Sequence, residues 1–105
     1  PFLVMSGTRD KGLAGQDAAW RLECYDGMPA TGNKNEIVIE GADHMNFAGV
    51  GLDGKVKNPA MNRYIQQATL TFWDAYLKGD PTALADVQKG YFPKVDGVNA
   101  SVQSK

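Results

Sequence analysis

Two short apolar segments each run into a side chain suited to hydrolytic chemistry. Phe2-Leu3-Val4-Met5 leads into Ser6-Gly7-Thr8-Arg9-Asp10, and Ile37-Val38-Ile39 leads into Glu40-Gly41-Ala42-Asp43-His44. Asp10 is a carboxylate just past one segment, and His44, the only histidine, lies just past the other. A carboxylate bonded to one imidazole nitrogen fixes the tautomer and steadies the imidazolium, and the other nitrogen is free to take a proton from a hydroxyl. The pair therefore reads as an acid–histidine relay. A lone histidine is otherwise a structural residue, and the matched placement of Asp10 is what favours chemistry. Asp17 is a rival acid whose position better suits a helix cap. Asp43 adjoins His44, points elsewhere, and suits shaping the turn or bonding the backbone. Met45 and Phe47 either line an acyl pocket or anchor the loop.

Such a relay needs two strands that end at the same rim. The unbroken apolar run Phe2–Met5 suits a strand covered on both faces, as in a parallel sheet. A helix is predicted from about Gln16 or Asp17 to Tyr25, with Ala18, Leu22 and Tyr25 on one face. Cys24 within it reads as a small buried residue. Gly27, Pro29 and Gly32 end that helix, and a second strand follows over Glu36–Glu40 with three β-branched residues at its centre. Strand, helix and strand in this order form a parallel βαβ unit. In open α/β sheets, sites form beyond the carboxyl ends of the strands, where both Asp10 and His44 fall.

Residues 41–58 read as a long glycine-rich loop, and loops of that length inside domains are usually functional or disordered. Gly49-Val50-Gly51-Leu52-Asp53-Gly54 spells G-x-G-x-x-G. It neither follows a strand directly nor opens a helix, so it is not a dinucleotide fingerprint. A strong helix follows, with Asn58 as N-cap and Pro59 at its first position. Met61, Ile65, Ala68, Phe72 and Tyr76 form its apolar stripe, Trp73 and Leu77 broaden it, and Gly79 stops it. Asp80-Pro81 starts a short helix to about Lys89. Residues 96–105 read as a polar, frayed tail.

The chain has 105 residues, 11 basic and 12 acidic, a formal net charge of -1 and one cysteine. That balance gives no electrostatic reason to expect nucleic acid or an anionic membrane. No apolar stretch approaches the ~20 residues of a membrane span. One histidine, one cysteine and scattered carboxylates supply no metal cluster, and no cofactor is expected. Asn99-Ala100-Ser101 is a glycosylation sequon that says nothing of compartment by itself. The chain opens at Pro1 directly inside a strand, and two parallel strands do not make a domain. Both observations lead us to expect part of a larger domain, incomplete alone, with any targeting region upstream and the localisation undefined.

The Phe2–Asp10 segment resembles the strand that leads to the triad acid in α/β-hydrolases through a G-T-x-D exit. Ile37–His44 resembles the last core strand and triad histidine, in a G-A-x-H form. Asn58-Pro59 and the helix containing Phe72-Trp73-Asp74-Ala75-Tyr76-Leu77 are similar to the terminal helix of dienelactone-hydrolase-like and acetylhydrolase-like esterases. The resemblance covers about residues 1–90 in the family's order. It implies an α/β fold in which residues 1–95 are the C-terminal portion of one α/β-hydrolase domain, with Asp10 as triad acid and His44 as general base. The implied activity is hydrolysis of a small-molecule carboxylic ester. The nucleophile elbow G-x-S-x-G and the oxyanion hole would lie upstream, in the N-terminal part of the same domain. Ser6 has Val4 rather than glycine two places before it, and Cys24 follows the acid, out of the family's order. Neither suits the nucleophile. Two alternatives remain: a non-catalytic accessory or binding chain that keeps the fold, or another chemistry on it, such as that of a thioesterase or lyase.

Overall fold

In the computed structural model, which describes residues 1–105, β1 (Phe2–Gly7) and β2 (Lys34–Ile39) lie side by side in parallel. Their register runs from Phe2 opposite Lys34 to Gly7 opposite Ile39. Parallel neighbours need a long crossover, and residues 8–33 supply it. Within it Asp17 accepts a hydrogen bond from the Trp20 amide and caps a 3-10 turn, Ala18–Leu22. A single α-helical turn follows, α1 (Glu23–Asp26), in place of the longer helix predicted from Gln16 or Asp17. Tyr25 is its one buried side chain. Cys24, expected inside, is exposed, because so short a turn hides only one side.

The second strand alternates between two environments. Ile37 and Ile39 are fully buried, each contributing about 1.5–3 kcal/mol by removal from water, and they pack with Ala42, Tyr64 and Ala68. The alternate residues of β2, Glu36 and Val38, turn to the opposite face. Glu36 is buried there, and desolvation pushes its carboxyl above the usual range, with Asp26 adding to the rise and Lys105 opposing it.

Tyr64 and Ala68 belong to α3 (Pro59–Trp73), which starts where Asn58 accepts the Met61 amide at 3.1 Å. The helix runs on as a π segment, Asp74–Lys78, and stops at Gly79, whose φ of 70° is left-handed. Of the stripe, Ala68 and Phe72 are buried and Met61, Ile65 and Tyr76 half-buried, and Ala75 is buried beside Phe72. Trp73 and Leu77 do not broaden that stripe. They are 46% and 75% exposed and lie with exposed Leu70 on the outward side. Asp80 caps α4 (Pro81–Gln88) by accepting the Thr82 and Ala83 amides, and Val87 packs against Phe72 and Ala75.

The polar tail is not frayed. Ala100–Ser104 forms β3, which pairs antiparallel to β2 with Val102 opposite Ile37. Only Val102 turns inward, and the flanking serines and Gln103 are exposed. An edge strand needs no more apolar content than that, which is why its composition reads as coil. The Ser104 hydroxyl also donates to the Asn35 side chain at 2.8 Å. The architecture is α/β, with a three-stranded mixed sheet ordered β1-β2-β3 and four α-helices. The fourth, α2 (His44–Ala48), lies inside the segment expected to be loop.

Candidate acid–histidine site

The exits of β1 and β2 are stitched together by backbone. The Thr8 amide donates to the Ile39 carbonyl at 3.1 Å, the Arg9 amide to the Ala42 carbonyl at 2.9 Å, and the Gly41 amide to the Thr8 hydroxyl at 2.8 Å. Gly7 permits this approach: a Cβ there would stand 2.1 Å from the Ala42 carbonyl oxygen. The Asp10 amide then turns back to the Gly7 carbonyl at 3.0 Å, placing the Asp10 side chain at the shared rim.

On the other side, Gly41 (φ 76°) turns the chain, and Asp43 opens α2 as its N-cap. The Asp43 carboxylate accepts the Met45 amide at 3.0 Å, while the Asn46 side-chain oxygen accepts the Asp43 amide at 2.9 Å. This reciprocal capping box fixes a helix of only five residues. Lys57 also bonds the outer Asp43 oxygen. The hydrogen bond from Lys57 holds the Asp43 carboxyl below its usual range, aided by its charge and by the Met45 and Asn46 contacts, against the opposing effect of burial. Asp43 thus builds the platform, and His44 is its first helical residue.

The two sequence-predicted residues meet. His44 Nδ1 lies 3.1 Å from Asp10 Oδ1. A carboxylate only accepts, so Nδ1 is the nitrogen that carries the proton. The neutral ring then has Nε2 as its bare acceptor. The His44 side chain is 63% exposed, whereas that of Asp10 is 4% exposed. The acid is therefore buried while most of the imidazole is open.

Two further groups hold Asp10. The Ser6 hydroxyl, buried at 1% exposure, donates to Oδ2 at 3.2 Å. Arg21 Nε lies 3.0 Å from Oδ1. The sequence reading assigns neither role. For Ser6 the signal was present: it is the last side chain before the Gly7 turn, four residues ahead of the acid. Nothing in the periodicity of the crossover singled out Arg21.

Met45 and Phe47 part company. Met45 lines an open cavity of about 590 Å³ with Gly51, Leu52, Asp53, Lys55, Val56 and Lys57. Phe47 packs against the Ile37–Tyr64 core and anchors α2. Residues 49–54 begin at Gly49, the left-handed C-cap of α2, and run into a narrow hairpin closed by a bridge between Val50 and Val56. Asp17 caps the 3-10 turn. Cys24 donates its thiol to the Arg21 carbonyl at 3.4 Å. No group of three or more His, Cys, Asp or Glu side chains is placed to hold a metal ion. No helix is long and apolar enough to cross a membrane. Compared with family models, curated proteins and solved structures, the chain finds no match.

Proposed function

We propose that this chain supplies the acid and the histidine of a Ser-His-Asp relay that hydrolyses carboxylic esters, within a longer α/β-hydrolase domain. The carrying observation is the Asp10–His44 contact at 3.1 Å, with the acid buried and the imidazole open. In this reading His44 Nε2 takes the proton of an attacking serine hydroxyl as the hydroxyl oxygen bonds the ester carbonyl carbon. The same nitrogen then returns that proton to the departing alkoxide, which leaves as the alcohol. Water repeats the cycle on the acyl-enzyme and releases the acid. Asp10 holds the ring and stabilises the imidazolium between the two transfers.

The serine lies outside these 105 residues. Ser6, nearest the acid, is buried and its hydroxyl already bonds the carboxylate. In this reading, as in the dienelactone-hydrolase-like and acetylhydrolase-like esterases that the chain resembles, the elbow and the oxyanion donors lie upstream. In the protein that contains this chain, His44→Ala is expected to lower ester turnover by about 10³-fold or more, as removal of a relay member does. A fluorophosphonate should label the intact protein at a serine upstream of Pro1. Undiminished turnover in His44→Ala would refute the reading. Absence of any labelled serine would favour a non-catalytic chain that keeps the fold.

A further inference from the structure

The Asp10 carboxylate has a third partner that the relay does not require. Arg21 Nε approaches both Asp10 Oδ1, at 3.0 Å, and the Asp10 carbonyl oxygen, at 3.2 Å. Its terminal nitrogen donates to the Lys11 carbonyl at 3.3 Å. One guanidinium therefore grips the side chain and the backbone of the acid and the backbone of the next residue. It arrives from the 3-10 turn of the crossover, and its charged end lies 5.4 Å from the Trp20 ring centroid. The Arg21 side chain is 25% exposed, so most of this contact is shielded from water.

We propose that Arg21 is a positioning residue for the relay: it fixes the Asp10 carboxylate so that Oδ1 faces His44 Nδ1 and so selects the tautomer with Nε2 free. Its kinetic consequence rests on the hydrolase reading, whereas its structural consequence does not. Two features support it. Arg21 and His44 share the same carboxylate oxygen, so rotation of Asp10 would break both contacts together. The guanidinium also uses two nitrogens at once, Nε donating to the Asp10 carbonyl while paired with Oδ1 and a terminal nitrogen donating to the Lys11 carbonyl, an arrangement that a lysine ammonium on its flexible stem does not reproduce. Ser6 holds the other oxygen, and the carboxylate is thus clamped from both ends.

The test compares wild type, Arg21→Met and Arg21→Lys. Methionine keeps an apolar stem and removes the charge and donors, while lysine keeps the charge and removes the fork. His44 is the only histidine of these 105 residues, and ¹⁵N NMR of the protein that contains them, with the His44 signals assigned by their loss in His44→Ala, reports the tautomer. Wild type is expected to protonate Nδ1. Arg21→Met is expected to populate both tautomers and to lower kcat for ester hydrolysis by the containing protein about 10²-fold, the cost of a misplaced catalytic group. KM should move less than about threefold, because ground-state binding is not touched. Arg21→Lys should remain within about tenfold of Arg21→Met in kcat. Leu13→Ser, on the same loop and fully exposed, should leave both readouts unchanged. If Arg21→Met unfolds the loop, Arg21→Lys alone carries the test. A variant that keeps Nδ1 protonation and wild-type kcat would overturn the proposal, and so would full recovery by lysine. The tautomer readout needs no ester, so failure of the hydrolase reading in His44→Ala would leave it standing.

Discussion

Asp43 and His44 adjoin in sequence and divide one task. His44 presents the ring, and Asp43 secures the helix that carries it through the capping box and Lys57. Its lowered carboxyl value sets a direction for pH. A carboxyl held lower in the folded chain than in the unfolded one stabilises the fold above the unfolded value of about 3.9. That contribution disappears as the pH falls through the folded value. Asp43→Ala should therefore cost about 1 kcal/mol at neutral pH through the lost cap, with the difference from wild type shrinking on acidification. Asp43→Asn keeps an oxygen for the Met45 amide and loses the ion pair, so it should fall between the two. Thermal melts across pH check this, and a penalty unchanged down to strongly acid pH would contradict it. At this scale the sequence was legible where a residue acts alone. Asp10, His44, the caps at Asp17 and Asn58, and the helix start at Asp80-Pro81 follow from type and neighbours. Ser6 carries a local signal, four residues ahead of the acid and just before the Gly7 turn, whereas Arg21 acts through a fold-dependent contact that one-dimensional spacing does not encode.

Among the elements, the parallel strands were readable because burial imposes an apolar run on each. The predicted helix over 16–25 was over-long, because three periodic residues satisfy the pattern equally well as a 3-10 turn plus one α turn. The outward placement of Trp73 and Leu77 was hidden for a related reason. A broad apolar stripe does not say which of its edges meets the sheet, and the π segment after Trp73 widens the turn. β3 was missed because a polar edge strand carries almost no hydrophobic signal. The Gly7 turn is the element on which the rim depends. Gly7→Ala should cost at least about 3 kcal/mol, since its Cβ meets backbone at Ala42 and no side chain can move aside. It should also separate Asp10 from His44, because the Arg9–Ala42 hydrogen bond must open. Chemical denaturation reads the first effect and the His44 imidazole ¹⁵N shifts the second. A stable variant with unchanged shifts would show that the rim tolerates a methyl group.

At the scale of the molecule, one carboxylate ties the exit of β1, the crossover turn and the start of α2 together. Buried Ser6 and partly buried Arg21 hold it, and an open imidazole bonds it. The sheet has two free edges, β1 and β3, and only one face covered by a long helix. β1 is half-buried along the apolar Phe2–Met5 run and has no strand on its outer side. That arrangement is consistent with a sheet that continues in a larger domain, as the proposed reading requires. The α/β class and the pairing of the two key strands were legible in the sequence, whereas the mixed sheet was not, since its third strand lies in the polar tail. The central claim is that Asp10 orients His44 for proton transfer, and Asp10→Asn in the containing protein tests it most directly. The amide keeps the shape and can donate to the ring, which favours the wrong tautomer. The account predicts a fall in kcat of about 10⁴-fold with the fold intact. Turnover within about tenfold of wild type would contradict it.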